Sequence, residues 1–445
     1  MRLRCLGGCG AKRIPLKKGL NRLKTKSWNF RLTVVVLTLL IMAIGAVQSY
    51  AAPITLRVMT VWGGEAKPYL DQLFAEYSKV NPNVKIVHEV TAGAGAATYQ
   101  EVLQTGFGAG SGPDVYFEWS GELAGYFIDS GFAEPLEPYY EKYGWDEILI
   151  PWAVEALKRN GKVYGVPMST HGMTFWYRVD LFEELGVEVP TTYAELEAIC
   201  EKAKARGLYG LSLGGKYDWQ TMRLLDFLIE YAAGPELRNK LNALETSWDC
   251  PEVVEAFTLF KKWVDNGWIT PGFLAVAPDD ARMPWYQGAA LMVFEGSWME
   301  RTLVGDGQDP FNFGFFLNPT GHKPLRISGF PEQFMISSIS KHKDEAAAFI
   351  DWVIQPEIQQ RGLGTAFGST GTIGVAPDKN ELPNTYKWRQ VLTTLEDTYP
   401  PSDQVFQAEL LHDFFEVQDG LVIGDITPEQ GAKQFQKAVE QWLSR

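Results

Sequence analysis

Acidic residues are missing from the first 51 positions of this 445-residue chain, although those positions hold ten of its 41 Arg and Lys. The remaining body therefore has 31 basic residues against 54 acidic ones, a formal net charge near −23. That balance excludes a nucleic-acid binder, which needs a basic surface to neutralise phosphates. Cysteine and histidine are scarce, with four and five copies. No H-E-x-x-H or Cys/His cluster exists, so a zinc centre has no ligand set. After Val47 no apolar run is long enough to span a bilayer. There is no internal repeat, no low-complexity linker and no β-sandwich rhythm, which argues against a structural or adhesive surface protein. The Gly106–Gly112 stretch lacks the Lys-Ser/Thr of a phosphate loop and reads as a helix stop. No G-x-S-x-G elbow occurs; Gly296-Ser297-Trp298 is not one.

The first 51 residues combine a basic flank with one apolar run, Leu32–Val47, broken by Thr33, Thr38 and Gly45. This is the layout of an export signal. Ser49-Tyr50-Ala51 before Ala52 offers the small residues of a cleavage site. The apolar run is short for a membrane span, and the basic stretch is long for a cleaved peptide, so both a signal peptide and a retained anchor stay open. Either way the body is expected outside the cytoplasm, periplasmic or at the cell surface. Cys5 and Cys9 lie in the leader. Cys200 and Cys250 remain in the body, either as a disulfide or as two separate thiols.

The body is long enough for two lobes. Ile54–Val61 alternates as a strand. Lys67–Lys79 has helical spacing, with Leu70, Phe74 and Tyr77 on one side. Val84–Val90, Asp114–Trp119, Ala289–Phe294 and Phe334–Ile339 read as further strands. Helices are expected at Tyr99–Gly106, Glu122–Ser130, Leu181–Leu185, Tyr193–Ala205, Trp219–Ala232, Pro251–Asn266, Arg282–Gly288, His342–Ile354 and Pro428–Leu443. Thr192 and Glu195 have the spacing of a capping box. Strand–helix alternation predicts an α/β fold.

In combination these segments resemble the extracellular solute-binding proteins of ABC importers, in the sugar-binding group that includes maltose-binding protein. The resemblance runs over residues 53–445. Val58–Trp62 is similar to the family's first strand. Gly112-Pro113-Asp114-Val115 with Trp119 resembles its "G-x-P-D-V" strand, here with Gly directly before Pro. Gly161–Pro167 and Phe175-Trp176-Tyr177-Arg178 resemble the first crossing between lobes, with Tyr-Arg where Tyr-Asn is common. Gly288–Met292 and Gly296-Ser297-Trp298 resemble "G-x-A-A-M…G-x-W", and Phe330–Gln360 resembles the return segment. The resemblance implies a two-lobed periplasmic-binding-protein-like fold with a central ligand cleft and hinge. Residues 53–167 and 323–369 form one lobe, and 168–322 with 370–445 the other. It also implies a monomer that delivers a carbohydrate to permease subunits in the membrane, without cofactor or metal. A secreted glycoside hydrolase is the enzymatic rival; with 54 acidic residues carboxylate pairs are unavoidable, and none stands out. A polyamine or an oligopeptide is the alternative solute.

A sugar offers an apolar face for aromatic rings and a rim of hydroxyls for carboxylates, amides or Arg. Such residues belong at strand ends and loops. Trp62 follows the first strand, and Glu65 opens the next helix, where capping is an adequate role for it. Glu118 and Trp119 end a strand, on opposite faces. His171 lies near the crossing. Asp218 and Trp219 follow a Gly-Gly turn. Trp285 sits on a predicted helix. Glu295 and Trp298 follow a strand, and the matched Gly-x-Trp implies that Trp298 faces the ligand. Gly329 would admit close approach to the backbone, beside Phe330. Arg361 and Phe367 are weaker candidates. Asp114 reads as a structural acceptor for loop amides, and Tyr177 as structural by the resemblance.

Overall fold

The computed structural model describes residues 53–64, 66–91, 95–363, 369–395 and 397–445. The leader, Glu65 and Phe367 lie outside these residues. Ten strands are described: β1 Ile54–Thr60, β2 Val84–Val90, β3 Val115–Trp119, β4 Lys158–Arg159, β5 Lys162–Val163, β6 Gly165–Arg178, β7 Tyr209–Ser212, β8 Ala290–Gly296, β9 Phe313–Phe316 and β10 Ser328–Ile336. β4 and β5 form a hairpin over Asn160-Gly161, both at positive φ, the turn that Asn-Gly favours. The other eight make one sheet in the order β2-β1-β3-β10-β6-β8-β7, with β9 also on β6.

This sheet is two half-sheets joined by two shared strands. β1, β2 and β3 are mutually parallel, and β3 meets the last five residues of β10. β7 and β8 are parallel, and β8 meets the last part of β6, from Met173 to Tyr177. β6 and β10 are antiparallel along most of their lengths and run through both halves. Separate cores follow. One gathers Leu56–Met168 residues with Phe334–Ile358. Another gathers Met173–Phe330 residues with Phe406–Val439. A third cluster, with Trp176, Trp285 and Trp388, covers the other face of the second half-sheet. Trp119 packs against both main cores.

Local chemistry explains the elements. Thr192 and Glu195 make the expected reciprocal capping box. The helix Pro428–Leu443 buries Ala432, Phe435, Ala438 and Val439, the stripe its spacing requires. The helix from Trp219 runs on to Asn242, past its expected end, through a kink at Gly234 (φ 69°). β10 starts at Ser328, six residues before the expected strand, because Pro331 and Gly329 disguise it. Asp114 accepts the Arg57 backbone N–H and the Ser340 hydroxyl, the structural role expected. Cys200 and Cys250 are free thiols; Cys200 is buried beneath Gly210, so the two-thiol alternative holds. Among the described residues no helix is long and apolar enough to cross a membrane.

Candidate functional site

The register brings the carboxyl ends of both half-sheets to the middle of β6. Trp119 ends β3 opposite Glu332, and Glu332 lies opposite Ser169 of β6. From the other side, Gly296 ends β8 opposite Met173. Ser169 and Met173 are four residues apart, about 13 Å at about 3.3 Å per strand residue. Crevices at the carboxyl ends of parallel strands are where α/β proteins bind ligands.

Aromatic rings border this gap on both sides. Trp62 follows β1 and stands half-buried against Phe117 and Phe334, at 5.1 and 5.6 Å between centroids. Trp119 is half-buried with its ring edge-on to Phe117 at 4.8 Å. Across the gap, Trp219 and Trp298 are also half-buried and lie 6.2 Å apart. His171, midway on β6, is 5.4 Å from Trp298. Trp298 is steered by its indole N–H, which donates to Glu295 Oε2 at 3.1 Å. Gly296 leaves room for that ring, since a Cβ there would sit 2.1 Å from it.

The floor between the tryptophans is polar. The Ser169 hydroxyl donates to Glu332 Oε2 at 2.6 Å, and His171 Nε2 lies 3.1 Å from the same oxygen. His171 Nδ1 meets the Ser297 hydroxyl at 3.1 Å. A carboxylate only accepts, so the Nε2–H of His171 donates to Glu332. One imidazole thus links the end of β8 to the return strand β10. Burial pushes the Glu332 carboxyl up; His171, the Ser169 hydroxyl and the charge of Arg301 more than offset it and hold it below the ordinary carboxylate range.

Glu118 behaves in the opposite way. It is fully buried, and burial raises its carboxyl to about 8 against the weaker effects of the Trp119 N–H and the Gln100 amide. Its Oε2 has no hydrogen-bond partner among the described residues. Near neutral pH it is mostly a neutral acid, and, fully enclosed, it offers a ligand no surface, contrary to the expectation from sequence. Asp218 caps the helix from Trp219 at φ 62° and ψ −40°, without a side-chain capping bond. Such a conformation is uncommon for a non-glycine residue and is frequent at ligand sites. Burial and the charge of Asp419 raise its carboxyl.

Other expected site residues have different surroundings. Trp285 is wholly enclosed against Phe313 at 4.5 Å, in the cluster on the other face of the sheet, and offers a ligand no surface. Glu295 is also fully buried; it holds Trp298 and pairs with Arg282 at 3.0 Å rather than lining the gap. Gly329 makes room for the chain itself, because a Cβ there would lie 2.6 Å from Thr398. Phe330 is covered by the Arg223 guanidinium at 4.7 Å, which Asp403 holds at 3.0 Å. Arg361 pairs with Glu76 on the surface. Tyr177 packs on Phe182 at 4.4 Å, as a structural residue. Sequence reading missed Glu332, Ser169, Ser297 and Arg223. Alternation from Phe330 would have placed Glu332 on the same face, had β10 been started at Ser328.

Known proteins resemble this chain in sequence and fold. A family model described as bacterial extracellular solute-binding protein matches residues 63–360. An uncharacterized ABC transporter extracellular-binding protein of Pyrococcus horikoshii is 25% identical over 309 residues, covering 67% of this chain and 66% of its own length. The multiple sugar-binding protein of Streptococcus mutans is 25% identical over 334 residues, 70% of this chain and 74% of that protein. Among solved structures, one from work on xylan utilization by the thermophilic bacterium Caldanaerobius polysaccharolyticus has a TM-score of 0.78 at 25% identity, covering 86% of this chain and 100% of that one. A chitin oligosaccharide binding protein has a TM-score of 0.77 at 22% identity, covering 88% and 99%.

Proposed function

This chain belongs to the bacterial extracellular solute-binding proteins, and from that premise we propose that it captures a sugar or oligosaccharide between two lobes and passes it to the permease of an ABC importer. The feature that supports this reading is the placement of four half-buried tryptophans near the carboxyl ends of the half-sheets, Trp62 after β1, Trp119 ending β3, and Trp219 beside Trp298 after β8. Flat apolar rings match the faces of pyranose rings, while Glu332 and Asp218 match their hydroxyls. The multiple sugar-binding relative and the chitin oligosaccharide binder favour the same class.

The first lobe comprises residues 53 to about 168 with the return segment to 369, and the second comprises the rest. The cores favour moving the return border from 323 to Pro331, since Phe330 packs in the second core and Phe334 in the first. β6, β10 and the chain at Ser369 and Thr370 are the connections about which the lobes hinge. The Ser120 hydroxyl donates to Gln404 Oε1 at 2.6 Å, where the segment Ser402–Val405 of the second lobe meets the end of β3. The family is extracytoplasmic, and the basic leader exports the body or anchors it. The protein acts as a monomer and releases its solute chemically unchanged.

The test is calorimetric titration of the purified protein with xylotriose, maltotriose, raffinose, chitotriose and spermidine. Saturable binding of at least one sugar is expected. Binding of spermidine alone, or of none of the five, contradicts the sugar reading.

A further inference from the structure

The crevice floor carries one carboxylate that is oriented on one side and not hydrogen-bonded by the described residues on the other. Glu332 Oε2 is occupied by the Ser169 hydroxyl at 2.6 Å and by His171 at 3.1 Å. No hydrogen bond from the described residues reaches Oε1. The side chain keeps 16% of its surface exposed while the His171 side chain beneath keeps 5%. The carboxyl is held below the ordinary range, so it stays ionised across neutral and mildly acidic pH. Its position is the register point where β3, β10 and β6 meet, Trp119 opposite Glu332 opposite Ser169.

Three other charged or titratable groups nearby are accounted for, and the positive charge of Arg301 acts on Glu332 itself. Arg223 takes both oxygens of Asp403 at 3.0 and 3.1 Å. Arg282 is held by Glu295 at 3.0 Å. Glu118 is mostly uncharged near neutral pH. Glu332 Oε1 is left as a carboxylate acceptor without a hydrogen bond from the described residues, on a side chain that stays partly exposed beside the end of β3.

We propose that Glu332 is the specificity-determining residue of the crevice, selecting a neutral ligand whose neighbouring hydroxyls donate to its free oxygen, and that His171 is the positioning residue that fixes the carboxylate. This rests on the sugar reading and deepens it. A charged acceptor makes roughly twice as strong a hydrogen bond as a neutral one. Two lone pairs on one oxygen accept two hydroxyl groups, which suits vicinal hydroxyls on one ring edge. Orientation matters because a carboxylate free to rotate would lose part of this gain in ordering. His171 draws its own orientation from Ser297, so ligand recognition is coupled to the contact between β6 and the end of β8.

The experiment compares wild type, Glu332→Gln, Glu332→Asp, His171→Ala and His171→Gln by calorimetry with the same five compounds, each variant first checked by thermal melting. Glu332→Gln keeps the shape and removes the charge. Glu332→Asp keeps the charge and withdraws it by one methylene. Both should weaken whichever sugar wild type binds by about tenfold or more. His171→Ala should weaken it less, and His171→Gln, which restores a donor, should recover part of that loss. Wild-type sugar binding that either folded Glu332 variant leaves unchanged overturns this proposal and leaves the sugar reading standing. Binding of spermidine alone, or no binding to any of the five, overturns the sugar reading and this proposal with it.

Discussion

At the scale of single residues, Trp298 is the proposed aromatic platform whose position its surroundings fix most closely. Glu295 fixes its indole N–H and Gly296 clears space for its ring. Truncating a buried aromatic anchor typically costs at least about 2 kcal/mol, or roughly thirtyfold in affinity. Trp298→Ala should weaken the sugar identified by calorimetry to that extent; undiminished affinity in the folded variant would remove Trp298 from the site. Glu118 makes a different prediction. Burial pushes its folded carboxyl up to about 8, above the ordinary 4.5 of the unfolded chain. Between those values the folded protein holds a proton that the unfolded chain has lost, so stability falls as pH rises through the window. One proton corresponds to about 1.4 kcal/mol per pH unit. Glu118→Gln should flatten the decline in unfolding free energy between pH 5.5 and 7.5 by about that slope, measured by urea denaturation. Parallel pH profiles for the two proteins would show that Glu118 is not the buried acid described. The tryptophans at strand ends were legible from sequence because Gly-Gly or Gly-Ser next to Trp marks a loop. Trp285 was not, since a tryptophan in a helix pattern looks the same whether it faces a core or a cleft. Glu295 failed for a related reason: its role is set by Arg282, thirteen residues away across a turn.

At the scale of elements, periodicity located most of the first lobe and the closing helix. Pro428–Leu443 has the bounds its apolar stripe implies. What periodicity missed is the chain that joins the lobes. β10 contains Gly329 and Pro331, residues that weaken a strand signal, and it is a strand because β6 on one side and β3 or the Tyr399 segment on the other supply its hydrogen bonds. The helices Pro383–Thr394 and Ala408–Ile423 were also missed. The segment at Ser402–Val405 is pinned by charge: Arg326 bonds Glu230 and Asp397, Arg238 bonds Asp226, and Arg223 bonds Asp403. Buried pairs of this kind add little net stability, while removing one partner leaves a costly unpaired charge. Gly121 lies where this segment meets the first lobe. It has φ 72°, and a Cβ would fall 1.9 Å from the Gln404 carbonyl oxygen. Gly121→Ala should destabilise the protein by about 1–3 kcal/mol, from overpacking and the left-handed backbone together. Denaturation midpoints check this, and a midpoint equal to wild type would mean that the junction is loose.

At the scale of the whole molecule, the two cores share few residues and the long strands β6 and β10 thread both. That architecture suits hinge closure, in which a solute bridging Trp62 and Trp119 on one lobe and Trp219 and Trp298 on the other draws the lobes together. Closure removes water from the crevice and strengthens the polar contacts proposed for Glu332. A closed form also presents one continuous surface from both lobes, which a permease can distinguish from the open form. The two-lobed plan was legible in the order of segments. The composition of the crevice floor was not, because His171, Ser169, Ser297 and Glu332 come together only through strand register. The most direct test of the account is small-angle X-ray scattering of the purified protein with and without a saturating amount of the sugar that calorimetry identifies. The account predicts a smaller radius of gyration with sugar bound; an unchanged radius at full occupancy would contradict capture by closure of two lobes.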